Sequence, residues 1–435
     1  MPALDELTPA QFCRFLADRA IRRCYFVWHD ETETVNSSHP DLEPLGRWLA
    51  AERRDFDRHE GVFVQIGEST GALQGAFVHR TCRGQAAGGV RRMRYETVAE
   101  YLRDGLRLSR GMTHKNALAG LWWGGGKGVI DPGPGREPDG RGLRPTLYEE
   151  YGCFISSLKG CYVTAEDAGT TAEDMAAVFS ATRFTTCIPP ACGGSGNPSA
   201  PTARGVVRGM EAALAHRGQG DLRGKTVVIQ GLGEVGSRLI GLLAARGVHR
   251  VVGADIRAER IAKLKRAHTE IELDLRVVAT DDDSILAEPG DILSPCGVGG
   301  TLNSRSIPRI RAGIICGAAN NQLEDPDRDD RRLAERGLLF MPDFLVNRMG
   351  IVTCADEQAG YINGDPMIEA HLDQQWENGI YRLSLAVLAR ADESGSTPAR
   401  IALELAERRS RELHPIFGHR GVEIIRSLIA DGWAA

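Results

Sequence analysis

The stretch around GLGEVG constrains this chain more than any other. A short apolar run, Thr226 to Gln230, leads into Gly231, Gly233 and Gly236, and an apolar helical segment, SRLIGLLAARG, follows at once. The GxGxxG pattern alone is weak, but a β run before it and an apolar helix after it are the context a dinucleotide-binding unit requires. The first glycine permits the tight turn, the second lets backbone approach a pyrophosphate, and the third lets helix and strand pack closely. Glu234 and Val235 open the helix, whose N-terminus offers partial positive charge. A second strand, RVVGADI, reaches Asp255, nineteen residues beyond Gly236. An acid there accepts hydrogen bonds from a ribose 2′-OH and repels a 2′-phosphate, which favours NAD; Arg257 nearby keeps NADP open.

Further apolar runs at Arg276–Ala279, Asp291–Pro295, Ala312–Asn320 and Leu338–Asp343 extend this α/β alternation, the mark of a parallel sheet. The expected architecture is α/β with two domains. Residues 53–200 form an N-terminal α/β substrate domain, residues 201–355 a Rossmann domain, and residues 356–435 helices that return to the first domain. Phe12, Phe15, Leu16 and Ile21 stand at helix-like spacing, so residues 1–52 are read as a helical extension, with a surface helix as its simplest form. Val62–Ile66 and Ala76–His79 read as two meander strands, and Glu96–Arg110 as an amphipathic helix. The Pro/Gly-rich segment Gly133–Gly142 reads as a surface loop, and Pro201 stands where a helix can begin.

The 435 residues carry 53 basic and 58 acidic side chains, a net charge of −5. That balance gives no reason to expect nucleic acid as a partner. No apolar stretch approaches the ~20 residues that span a bilayer, and MPALDELTPAQF lacks the basic and apolar regions of a secretory signal. Ten cysteines are scattered with no CxxC spacing, so they read as reduced cytoplasmic thiols, with neither a disulfide framework nor a metal site expected. Only six of the basic residues are Lys, so a Lys in a special setting is informative: it can be deprotonated near neutrality and Arg cannot.

Two of those six, Lys115 and Lys127, lie in GMTHKNALAGLWWGGGKGVIDP. Lys127 follows three glycines within an apolar segment, a setting that desolvates the amine, lowers its pKa and makes it usable in proton transfer. A second cluster, YVTAEDAGTTAEDM, places Glu166 and Asp167 after an apolar strand-like run. An acid there serves either as a general acid/base or as part of the cap of a helix starting near Thr171.

Taken with AGGVRRM (87–93), GSGNPSAPTARGV, PCGVGGTLN, GAANNQL and PDFLVNRMGIVTCADE, these clusters resemble the glutamate/leucine/phenylalanine/valine dehydrogenase family, most of all its leucine and phenylalanine members. The likeness runs from about Arg53 to about Arg409. It implies reversible, NAD-dependent oxidative deamination of an L-amino acid to the 2-oxo acid and ammonia, in a cleft that closes to exclude water. It also implies a homo-oligomer, dimer or larger, built through the N-terminal domain. Carried over by motif, Lys127 activates the attacking water, Asp167 relays protons to the substrate nitrogen, and Lys115 binds the α-carboxylate. Gly88 and Gly89 approach the substrate through their backbone. Thr202, Asn320 and Asn347 line the cleft, with Cys296 and Ala319 among the cofactor-binding positions.

Side-chain choice follows from the same alignment. Where glutamate-specific members carry a Lys for the distal carboxylate, this chain has Ala87, and the other pocket positions are Ala165, Ile351 and Cys354. The implied substrate is apolar, branched-chain or aromatic, in a pocket roomier than where Leu replaces Ala87. Three departures stand out. The family's NAGG reads Asn347-Arg348-Met349-Gly350, so either Arg348 points outward or the substrate carries a group that Arg binds. Trp122-Trp123 replaces smaller residues, and the first fifty residues have no counterpart. Two alternatives remain at this point: a biosynthetic member acting on an unusual or substituted amino acid, and a nucleotide-binding regulator without turnover. The presence of Lys115, Lys127 and Asp167 together speaks against the regulator.

Overall fold

Seven strands build the first sheet of this computed structural model, which describes residues 3–133, 143–360 and 364–435. They are β1 (Arg23–His29), β2 (Thr34–Ser37), β3 (Gly61–Ile66), β4 (Leu73–Arg80), β5 (Ala86–Arg92), β6 (Gly124–Asp131) and β7 (Tyr162–Glu166), in the order β2-β1-β3-β4-β6-β5-β7. The first strands pair antiparallel as a meander, whereas β5 lies parallel to both β6 and β7. Parallel strands need crossovers, and the helices Val98–Leu118 and Leu143–Ser157 provide them. Apart from Gly133, the surface loop expected at Gly133–Gly142 lies outside the described residues.

The chain divides into two units: Met1–Asn197 with Cys354–Ile362 and Ala406–Ala435, and Pro198–Thr353 with Asn363–Leu405. The second contains an all-parallel sheet of β8 (Thr226–Gln230), β9 (Arg250–Asp255), β10 (Glu272–Val277), β11 (Ile292–Pro295), β12 (Ile314–Ile315) and β13 (Leu339–Phe340). Its order, β10-β9-β8-β11-β12-β13, is the dinucleotide-binding order, with the reversal between β8 and β11. Each run expected in this region contributes to a strand, but Ala312–Asn320 and Leu338–Asp343 supply only the two residues of β12 and of β13, and β10 begins earlier than Arg276 and ends at Val277.

Two expectations are corrected. Residues 1–52 are not a separate helical extension. The helix Pro9–Ala17 does form, but Ile21 lies beyond it, and β1 and β2 belong to the first sheet, with Tyr25 opposite Phe63. Phe12, Leu16, Ile21, Cys24 and Phe26 are buried in one apolar cluster with Val62, Val64 and Phe77, and that burial overrides the helical spacing. The C-terminal helices do not all return to the first unit either. Pro366–Leu372 and Ile380–Ser394 belong to the second unit. There the helix Ser199–His216 offers Gly205, where a Cβ would stand 2.9 Å from Ile380 Cδ1, so the missing side chain admits Ile380. Among the described residues no helix is long and apolar enough to cross a membrane.

Candidate active site

In the first unit the chemistry gathers where β5, β6 and β7 run side by side. The glycines of β6 let its neighbours close in: a Cβ on Gly125 would stand 2.0 Å from Thr113 Oγ1 of the helix Val98–Leu118. The GGGKG segment is thus a wholly buried strand pressed against that helix. Asn116 fixes the contact by donating to the carbonyls of Gly124 (2.6 Å) and Ala87 (3.3 Å). Lys115, its neighbour in the last helical turn, is half-buried. On β5, Gly89 has the same use: a Cβ there would stand 2.7 Å from Asp167 Cβ. Gly88 and Gly89 stand opposite Thr164 and Ala165 of β7, and Gly88 accepts from Tyr162 Oη at 2.6 Å.

Lys127 Nζ donates to Asp167 Oδ2 at 2.7 Å, and Arg91 Nε donates to the same oxygen at 3.2 Å. The Lys127 side chain is 5% exposed and that of Asp167 19%. Burial lowers the Lys127 pKa, and Arg91 pushes the same way against the pull of Asp167. Burial alone would raise the Asp167 pKa, but Lys127 and Arg91 hold it below the usual carboxylate range. Arg91 is in turn held by Asp104 (3.2 and 3.1 Å), which also accepts from Tyr95 Oη at 2.7 Å and Arg107 at 2.8 Å. The network holds a neutralisable amine against a carboxylate kept ionised by a permanent cation, an arrangement suited to passing a proton.

Arg91 is the site residue that sequence reasoning missed. Its signal was the strand period: two residues after Gly89, it shares that residue's face of β5. The capping alternative for the acids is resolved as well. Thr171 caps the helix Ala172–Ala181 in a reciprocal box with Asp174, leaving Asp167 to face Lys127. Of the pocket positions in this unit, Ala87, Ala165 and Cys354 are all buried. Cys354 Sγ lies 3.2 Å from Cys187 Sγ, both as free thiols. Glu357, one turn along, accepts from the backbone N–H groups of Cys187 (2.8 Å), Ile188 (3.2 Å) and Ser195 (3.0 Å), and so shapes that segment.

In the second unit the glycine turn sits at the sheet's reversal point. Gly231 has φ +85°, and a Cβ on Gly236 would stand 2.0 Å from the Gly231 carbonyl oxygen. At Gly233 the nearest atom to an added Cβ is Arg260 Nη1, 4.0 Å away, so backbone and helix N-terminus at Glu234 and Val235 are open to a phosphate. Asp255 Oδ2 accepts from the Leu232 N–H (2.9 Å) and Arg260 (3.1 Å), and Oδ1 from the Arg257 N–H (2.9 Å). The Arg257 side chain itself is exposed. A tight turn, an open helix N-terminus and an acid at the end of β9 fit a dinucleotide. Cys296 lies beyond β11, and its N–H donates to the Gln230 carbonyl at 2.7 Å. Buried Asn347 donates to Asn320 Oδ1 (2.9 Å) and to the Ala318 carbonyl (3.0 Å), which places it beside buried Ala319. Thr202 Oγ1 is bonded to the Pro198 carbonyl at 2.8 Å, and Ile351 is buried.

Arg348 does not point outward. It is fully buried and donates to the Asn378 carbonyl, and burial, with Arg348 adding to it, holds the His371 pKa down to about 3. The bulky cation that replaces the family's Ala is built into the second unit's interior.

A sheet in this order, with this turn and this acid, and a buried lysine–aspartate pair suit a pyridine-nucleotide-dependent dehydrogenase. Comparison with known proteins makes the class specific. Residues 193–414 match the model of the Glutamate/Leucine/Phenylalanine/Valine dehydrogenase, and residues 64–184 match the Glu/Leu/Phe/Val dehydrogenase, dimerisation domain. Valine dehydrogenase of Streptomyces coelicolor is 40% identical over 83% of this chain and 94% of that protein. Leucine dehydrogenase of Bacillus subtilis is 39% identical over 70% and 80%. The crystal structure of L-tryptophan dehydrogenase from Nostoc punctiforme superposes with a TM-score of 0.64 at 32% identity, covering 81% of this chain and 96% of that one. The chain belongs to the Glu/Leu/Phe/Val dehydrogenase family, and it is an oxidoreductase acting on amino acids.

Proposed function

We propose that the chain catalyses NAD-dependent, reversible oxidative deamination of an L-amino acid with an apolar, branched-chain or aromatic side chain, yielding the 2-oxo acid and ammonia. The observation that carries this reading is the buried Lys127–Asp167 pair at 2.7 Å with Arg91 on the same carboxylate. The glycine turn at Gly231, Gly233 and Gly236, with Asp255, would hold NAD, which would supply the acceptor for the hydride leaving the substrate α-carbon. Lys115 holds the substrate carboxylate as a fixed cation. Lys127, its pKa lowered, takes a proton from the water that attacks the imine carbon, and Asp167 carries protons to and from the substrate nitrogen. Gly88 and Gly89 bring backbone up to the substrate, while Asn347, Asn320, Thr202, Cys296 and Ala319 support substrate and nucleotide.

Apolar preference is supported by Ala87, Ala165, Ile351 and Cys354, all buried and none able to pair with a distal carboxylate. The relatives named for valine, leucine and tryptophan favour the same range. Burial of Arg348 in the second unit's interior removes the motive for a substrate group that it would bind. The match to a dimerisation domain supports a homo-oligomer, and ten free thiols support a cytoplasmic setting.

The test is NADH formation from NAD at alkaline pH with Leu, Val, Ile, Phe, Trp, Met and Glu. Rapid turnover of apolar members, little with Glu, and loss with Lys127→Ala is the expected pattern. NAD binding without NADH from any of them would shift weight to an unusual substrate.

A further inference from the structure

Away from both sites, three donor side chains from distant parts of the chain converge in the first unit. Glu60 precedes β3, Cys82 follows β4, and His419 precedes the helix Arg420–Ala430. One ligand atom of each lies within 4.8 Å of the others, and His419 Nε2 is 2.9 Å from Glu60 Oε1. A tetrahedral zinc site separates such donors by about 3.3–3.6 Å, so side-chain shifts of roughly an ångström or less would close it.

The surroundings hold the three in place. Glu60 Oε1 accepts from the Thr81 N–H at 2.9 Å, and Oε2 from the Thr81 hydroxyl. The Cys82 carbonyl accepts from the His414 N–H at 2.8 Å. A Cβ on Gly421 would stand 2.2 Å from Thr81 Oγ1, so the start of the last helix lies directly against the residue that positions Glu60. Each of the three is half-buried, and His419 is 34% exposed, which leaves a path for an ion and one coordination position for water. Thiolate with imidazole and carboxylate selects zinc-type ions over magnesium or calcium. The lack of CxxC spacing excludes a local zinc ribbon; it does not bear on ligands drawn from three separate segments.

We propose that Glu60, Cys82 and His419 bind one zinc-type divalent cation, with water as fourth ligand, and that the ion fastens the helix Arg420–Ala430 to the sheet. The test uses the full chain, stripped with a chelator and titrated with Co²⁺ as the spectroscopic probe. One equivalent per chain should bind with thiolate-to-cobalt charge transfer and the strong visible bands of four-coordinate cobalt, and Zn²⁺ should displace it. Cys82→Ser should abolish the charge-transfer band, and His419→Gln should weaken binding at least about tenfold. Thr81→Val, which removes a group that orients Glu60, should weaken it about tenfold with the band retained. Zn²⁺ should raise the melting temperature of the wild-type chain and leave that of Cys82→Ser unchanged. No charge transfer at one equivalent, or a band that survives Cys82→Ser, overturns the proposal. None of these readouts depends on turnover.

Discussion

Asp167 and Asp255 stand at matching places in their two units: Asp255 ends β9, and Asp167 is the first residue beyond β7. Their partners differ in kind. Asp167 is held by Lys127 and Arg91, one of which can lose its charge. Asp255 is held by two backbone N–H groups and Arg260, none of which can. A carboxylate that takes part in proton transfer needs a partner whose charge can change, whereas one that shapes a binding loop works best with fixed donors. Altering the first should disturb rate and pH profile; altering the second should disturb cofactor affinity and choice.

Lys127→Ala is the most severe way to probe the difference. Turnover should fall by about 10²–10⁴ while NAD binding, followed by fluorescence titration, stays near wild type. Loss of NAD binding in this variant would erase the proposed separation of roles. Asp255→Asn should leave kcat nearly unchanged and raise the ratio of kcat/KM for NADP over NAD by about tenfold or more, because the charge that repels a 2′-phosphate is gone. An unchanged ratio would mean that Arg260, not Asp255, governs the choice.

Arg91→Leu tests the sign of the electrostatics. In the proposed reaction Lys127 must be neutral, so activity should rise with pH through the Lys127 pKa. Without Arg91, a repelling cation is lost and Asp167 is left to pair with Lys127 alone. Both changes raise that pKa, so the acid limb of the kcat/KM profile should move to higher pH, with activity lost at any fixed pH on that limb. A limb that stays in place would assign it to another group. The smallest effect is expected from Ala87→Leu: specificity should move toward smaller aliphatic side chains by about tenfold in the kcat/KM ratio, with little change in the best turnover. Unchanged ratios across the substrate panel would place Ala87 outside the pocket wall.

The nucleotide-binding sheet of the second unit was legible because its signals are local; the helices that join it from beyond residue 363, and buried Arg348, were not. Strand, glycine turn, helix and acid follow one another within thirty residues, and the sheet order follows from that topology. The first unit was legible only in part. The helix spacing of Phe12, Phe15 and Leu16 is real, but β1 is recognised as a strand only by pairing with β3, nearly forty residues on. Arg91 has no role legible in AGGVRRM, because its value lies in sharing an Asp167 oxygen with Lys127 from a neighbouring strand. Arg348 could not be placed from its motif, since the Asn378 carbonyl that receives it is thirty residues away. Glu60, Cys82 and His419 show no spacing at all. Each failure concerns contacts between residues far apart in the chain, which periodicity does not report.

The segmented make-up of the first unit also bears on how the molecule comes into being. The second unit has all its residues once Leu405 has been synthesised, whereas the first, begun at the N-terminus, still lacks Ala406–Ala435. Those last residues include Trp433, whose ring packs 5.3 Å from that of Phe63 and whose indole N–H donates to Ser157 at 3.0 Å. A nascent chain thus holds the oldest part of its sequence with apolar surface uncovered while the younger part can already close. Its last docking step spans most of the chain, the kind of contact that folds slowly and exposes a protein to aggregation on the way. Trimming only a few residues from the C-terminus should therefore cost far more soluble yield than their number suggests.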